Sequence, residues 1–180
     1  MRQFLFLVVS VAVLFSADPP AWSPAYSMKF RNLGSVTPSP NGKWVAWTER
    51  EAVITEDKSE YLTQIFLARS DGSSRFQLTR GEKSSDSPQF SADNKYVYFA
   101  SDRSGKRNVF RIATEGGEAE QLTDWKGTLA SFAVSPDGWQ LVFTGRAEDK
   151  EEEKRKKSKL DYRIVDDTPK NASLWIAGLD

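Results

Sequence analysis

The chain contains no cysteine and no histidine in its 180 residues. Without cysteine there is no disulfide, no zinc–thiolate site, no thiol nucleophile and no acylated lipoprotein cysteine. Without histidine the commonest general base and the commonest metal ligand are missing. A Ser-His-Asp or Cys-His centre therefore cannot be assembled from this chain alone. Net charge is lacking too: 25 basic residues balance 25 acidic ones. No whole-chain field favours nucleic acid or an anionic membrane surface.

The composition that remains is globular. Apolar residues make up 39%, charged residues 28% and aromatics 12%, which is above the disordered range. Phe4–Phe15 (FLFLVVSVAVLF) follows Arg2 as an unbroken run of weakly polar residues. It suits the h-region of a signal peptide and is too short for a helix spanning a bilayer core of ~30 Å. Pro19 and Pro20 stop any helix there. Residues 1–25 are expected to be a signal peptide and short linker, with cleavage after Ala17 or Ala25. The protein is expected to be exported, periplasmic or secreted, with membrane contact only through this segment.

An internal repeat dominates the rest. Ser39-Pro-Asn-Gly-Lys-Trp-Val-Ala-Trp47, Ser91-Ala-Asp-Asn-Lys-Tyr-Val-Tyr-Phe99 and Ser135-Pro-Asp-Gly-Trp-Gln-Leu-Val-Phe143 share one pattern. Each opens on a turn signal and runs into aromatic and β-branched residues. Asn94 stands where the other copies have glycine, as the next most tolerant residue for a left-handed turn. Second elements follow at Gln64–Gly72, Asn108–Gly116 and Ser173–Asp180, and third elements at Phe76–Thr79 and Glu120–Thr123. Phe66 to Phe110, Leu78 to Leu122 and Ser91 to Ser135 each span 44 residues. Four short strands on that period describe a propeller blade rather than a β-sandwich.

The fold class read from the sequence is all-β. It is a partial β-propeller over residues 26–180 with two full blades and most of a third, four-stranded and antiparallel, on a 44-residue repeat, after an N-terminal signal peptide. Asp180 coincides with Asp71 and Glu115 of the earlier copies, so further blades are expected beyond it. Trp175 follows Phe110 by 65 residues instead of 44, which places a charged insertion at 147–170. Its pairs Glu151–Arg155, Glu152–Lys156 and Glu153–Lys157 stand at i, i+4 in the favourable order and predict a short solvated helix or hairpin.

Two groups of residues invite a sharper reading. Asp71, Asp93, Asp102 and Asp137 recur at turns and are expected to cap backbone N–H groups rather than bind calcium, since no EF-hand spacing appears. Trp44, Trp47, Trp139 and Trp175 are expected in the core between blades rather than on a sugar-stacking platform. Asn171-Ala172-Ser173 fits a glycosylation acceptor, a triplet too common to mean much. No catalytic, cofactor-binding or metal residue is assigned.

These strings carry a resemblance. The blade pattern ending in Phe99-Ala-Ser-Asp-Arg103 resembles TolB-like propellers. Leu67–Gly72, Gln77–Gly81, Glu115–Thr123 and the charged stretch leading to Val165-Asp166-Asp167 resemble the N-terminal propeller of the prolyl oligopeptidase family. The nearest branch is that of secreted dipeptidyl aminopeptidases and acylaminoacyl-peptidase-like enzymes. The resemblance implies a C-terminal α/β-hydrolase domain with a serine nucleophile elbow, and a propeller acting as a lid over a peptide substrate. No Gly-x-Ser-x-Gly occurs here, so none of the family's catalytic residues is carried over. The expected role is the non-catalytic propeller of an exported serine peptidase. The alternatives are a standalone periplasmic TolB-like protein-binding propeller and a carbohydrate-binding one. The expected partners are the protein's own hydrolase domain and a peptide, with no cofactor and no nucleic acid.

Overall fold

In the computed structural model of the chain, residues 22–159 and 171–179 are described. The apolar run at Phe4–Phe15 lies outside them, as do residues 160–170 of the charged insertion. The linker ends in a one-turn helix, α1 (Pro24–Ser27). Three antiparallel meanders follow. The first is β1 (Asn32–Pro38), β2 (Trp44–Ile54), β3 (Ser59–Arg69) and β4 (Arg75–Gln77). The second is β5 (Ser85–Phe90), β6 (Tyr96–Ser101), β7 (Asn108–Ala113) and β8 (Glu120–Gln121). The third is β9 (Thr128–Val134), β10 (Gln140–Arg146) and β11 (Ser173–Gly178). Every strand pairs with its chain neighbour, so each sheet is a simple up-and-down blade.

Period-two patterning explains how the blades stack. On β6, Val97 and Phe99 face the first sheet and pack with Ala46, Ile65, Leu67 and Leu78. Tyr98 and Ala100 point the opposite way and pack with Leu129, Phe132, Leu141 and Phe143 of the third sheet. The middle blade is thus buried on both faces, and its strand reads as an unbroken apolar run because neither face meets water.

The register repeats with the sequence. Trp47 pairs with Phe66, Phe99 with Phe110, and Phe143 with Trp175, one aromatic pair per blade. The first two pairs stack with centroids 5.9 and 5.8 Å apart. Trp125, from the connection between the second and third sheets, wedges against both members of the last pair at 5.2 and 4.6 Å.

The third element of the repeat has a buried polar purpose. Leu78 and Leu122 donate their amides to Ile65 and Val109, both at 2.8 Å, while their side chains pack on the two cores. The following threonines, Thr79 and Thr123, accept the amides of Ile65 and Val109 at 2.9 and 3.0 Å. The first strands of the blades are tied directly: Thr37 Oγ1 donates to the Pro88 carbonyl at 3.2 Å, and Gln89 Nε2 to that of Phe132 at 2.8 Å. Bulges interrupt β1 and β5, where Ser35 and Ser87 take φ of 46° and 55°. Gly34 and Pro88, each beside the left-handed serine, mark those bulges in the sequence.

Candidate functional site

The turns between the first and second strand of each blade are built alike. Asp93 Oδ1 accepts from Ser91 Oγ at 2.6 Å and from the Lys95 amide at 3.0 Å. Asp137 does the same with Ser135 and the Trp139 amide, and Asn41 with Ser39 and the Lys43 amide. Each serine oxygen then accepts the amide that opens the next strand, at 2.9 Å in all three copies. The residue two before that strand's first is left-handed: Gly42, Asn94 and Gly138 have φ of 67°, 63° and 79°. The serine hydroxyls first, and the amides second, hold the Asp93 and Asp137 carboxyls below their ordinary value. Asp71 caps the next turn through Ser73. Asp102 departs from the expected role: its backbone carbonyl accepts from Gly105, but its carboxylate caps no amide among the described residues.

Between the second and third blades these turns border a groove of about 310 Å³. Trp139 and Tyr96 stand on it, with Tyr98, Arg111, Asp93 and Asp137. Trp139 is 67% exposed, which corrects the expectation that it is core. Trp44 and Trp175 do pack against the two cores as expected. Trp47 sits on the face of the first sheet turned away from the second. There it stacks on Phe66 beneath Arg75, outside both cores. Its Nε1 donates to Glu49 Oε1 at 3.0 Å, and Arg75 closes on the same oxygen at 2.5 Å. Glu49, 5% exposed, is a buried carboxylate paired to arginine, as buried charge requires.

A second groove, about 510 Å³, runs between the first and second blades past Phe76, Arg80, Arg103 and Gly116. The Arg103 guanidinium lies 5.0 and 5.3 Å from the Phe99 and Phe110 ring centres and donates to Ser85 Oγ at 3.1 Å. It forms no ion pair with any described carboxylate, and burial pushes its pKa below the ordinary arginine value.

The connection between second and third strands is where the blades differ. In the middle blade the ladder stops at Ser101–Asn108. In the first blade it passes the equivalent pair Glu49–Gln64 and continues to Ile54–Ser59, five further rungs or roughly 16 Å. Arg50 stacks on Tyr61 at 4.1 Å along this arm. The signal for the arm was the 52-residue step from Ser39 to Ser91, eight longer than the repeat. In the third blade the charged insertion leaves from the same connection, after the pair Gly145–Ser173. It opens on α2 (Lys150–Lys157), and Glu151 meets Lys154 at i, i+3 (2.9 Å) rather than Arg155 at i, i+4. The side chains of Glu152, Glu153 and Lys156 lie outside the description.

Among the described residues no three acidic side chains converge as a metal site, and no helix is long and apolar enough to cross a membrane. The Asn171-Ala172-Ser173 triplet lies at the exposed start of β11.

Comparison with known proteins places this geometry. The model of the TolB β-propeller domain matches residues 34–173. Dipeptidyl-peptidase 5 of Porphyromonas endodontalis is 30% identical over 148 residues, which is 81% of this chain and 21% of that protein. An uncharacterized peptidase of Bacillus subtilis is 31% identical over 107 residues, 59% of this chain and 16% of its own length. The chain therefore spans about a fifth of these relatives or less. Among solved structures, the acylaminoacyl peptidase of Pyrococcus horikoshii superposes with a TM-score of 0.63 at 19% identity, over 86% of this chain and 24% of that one. That likeness is one of fold. Stacked antiparallel blades on one repeat, together with the match across residues 34–173, make this chain a member of the TolB β-propeller domain family.

Proposed function

We propose that the chain is the non-catalytic, substrate-gating propeller portion of an exported serine peptidase whose α/β-hydrolase domain lies elsewhere in the intact protein. One observation carries the reading. The likeness to dipeptidyl-peptidase 5 takes up 81% of this chain but only 21% of that peptidase. A chain without histidine supplies no imidazole base, so its contribution to peptide hydrolysis is to admit and hold substrate. The elaborated connections support gating, because the arm of the first blade and the insertion of the third both join the second strand to the third. Loops raised on a rigid scaffold are where binding and access are controlled. The partners are the protein's own hydrolase domain and a peptide. Residues 1–25 direct export to the periplasm or beyond.

Trimming the arm tests this. Replacing Val53–Tyr61 of the intact protein with a two-residue turn leaves cleavage of dipeptide substrates near wild type and speeds cleavage of long unfolded polypeptides. Equal rates on long substrates before and after trimming contradict gating. The TolB domain match also suits a standalone propeller that binds protein partners. Recovery of a stoichiometric partner by an intact protein without peptidase activity selects that reading instead.

A further inference from the structure

The groove between the second and third blades has a construction that blade stacking does not explain. Alignment of the three turns puts Trp139 where Lys43 and Lys95 stand, at the solvent-facing last position of the turn. The backbone there is the same in each copy: the Lys43, Lys95 and Trp139 carbonyls accept the amides of Ser70, Thr114 and Leu179 at 3.0, 2.9 and 2.8 Å. A lysine position has thus been given the largest apolar side chain without any change of fold, and the indole remains 67% exposed. An exposed tryptophan beside a concave site is a contact surface rather than packing.

The base of the groove is polar. Tyr98 is 4% exposed as a residue, and its hydroxyl keeps access to solvent while making no hydrogen bond with any described residue. A hydroxyl facing a groove exchanges water for a ligand group at little cost. Burial raises the Tyr98 pKa, and Arg111 and Asp93 line the groove beside it. Arg111 donates Nε to Glu120 Oε2 at 2.7 Å and lies 5.0 Å from the centre of the Tyr96 ring.

The charges decide the ligand class. An anion entering the groove meets the Asp93 and Asp137 carboxylates. A cation meets the Arg111 guanidinium, with Lys95 only 3.8 Å from Asp93. A neutral ring bearing hydroxyls on its edge and C–H groups on its face satisfies every group present. It stacks on Trp139, accepts from Arg111, donates to Asp137 Oδ2 and exchanges a hydrogen bond with Tyr98. A volume near 310 Å³ is at the small end of ligand sites, which run roughly 300–1,000 Å³. We propose that this groove, with Trp139 as its stacking wall and Tyr98 at its base, binds a neutral saccharide unit. The site is separate from the peptidase reading and is assayed without any hydrolytic activity.

The test is calorimetric titration of the intact protein with maltose, cellobiose and chitobiose. Acetate and Nα-acetyl-lysine methyl amide serve as charged controls. At least one disaccharide is expected to bind saturably. Trp139→Lys, which installs the residue of the other two turns, weakens that binding about tenfold or more. Tyr98→Phe keeps the ring and weakens it about fivefold, the loss of one ordinary hydrogen bond. Both variants are expected to melt cooperatively near wild type. Failure of all three disaccharides at about 50 mM overturns the proposal, since affinity weaker than that is no site. So does disaccharide binding that Trp139→Lys leaves unchanged, or saturable binding of a charged control in place of the sugars.

Discussion

Thr123 Oγ1 donates to Asn108 Oδ1 at 2.8 Å while accepting the Val109 amide, all in the interior of the second blade. Thr79 and Gln64 make the same arrangement in the first blade at 2.7 Å. The amide side chains continue the chain of bonds outward. Gln64 Nε2 reaches the Gly81 and Lys83 carbonyls at 3.1 Å, and Asn108 Oδ1 takes the Trp125 amide at 2.7 Å. Each Leu-Thr pair therefore fastens the outermost strand and the linker to the next blade through one buried hydroxyl.

Thr123→Val keeps the shape and removes that hydroxyl. It leaves the Val109 amide and the Asn108 carbonyl oxygen buried without this partner, and is expected to cost about 1–3 kcal/mol. Thr123→Ser is expected to retain most of the stability. Urea denaturation of the two variants checks this, and equal losses would show that the methyl, not the hydroxyl, matters.

The third blade closes tightly over its edge. A methyl group on Gly145 would stand 2.4 Å from the Thr128 carbonyl oxygen, and one on Gly127 only 2.0 Å from that of Arg146. The neighbouring atoms are backbone and cannot swing aside. Gly145→Ala is expected to destabilise by about 1–3 kcal/mol, an overpacking cost. Thermal melting of the variant measures it, and an unchanged melting temperature refutes the close approach.

Acid sensitivity follows from the capping carboxylates. Asp93 and Asp137 have folded pKa values lowered from 3.8 by their serine and amide donors. A lowered folded value means their contribution is complete above the unfolded pKa and is lost as pH falls through the folded one. Stability is therefore expected to decline below about pH 4. Asn41 makes the same two bonds in the first blade without a charge. Asp137→Asn is accordingly expected to fold normally and to flatten the acid limb, read as the urea midpoint between about pH 2 and pH 6. A steeper limb in the variant contradicts the assignment.

Much of this architecture was legible because the repeat combines turn chemistry with strand chemistry. Ser-Pro-Asp-Gly followed by Val-x-Phe states both the turn and the register, and the structure places Phe99 and Phe143 in matching rungs. Asn94 takes the left-handed φ that its place in the repeat implied. What escaped was information carried by position rather than residue type. Trp139 reads as core when grouped with other tryptophans, and as surface when aligned with Lys43 and Lys95. Asp102 resembles Asp71, each with a serine two residues on, yet its carboxylate caps no amide among the described residues. Ser35 and Ser87 reach positive φ in bulges whose local signals, Gly34 and Pro88, also escaped.

The central claim is that this propeller belongs to a serine peptidase and is not itself its catalyst. It is tested most directly by a biotinylated fluorophosphonate applied to the protein expressed from its own gene. The account predicts a labelled species larger than 20.3 kDa that yields peptides of this chain, with the modified serine outside it. A protein that carries this chain, is folded and shows no labelling contradicts the account, as does a labelled serine within residues 26–180.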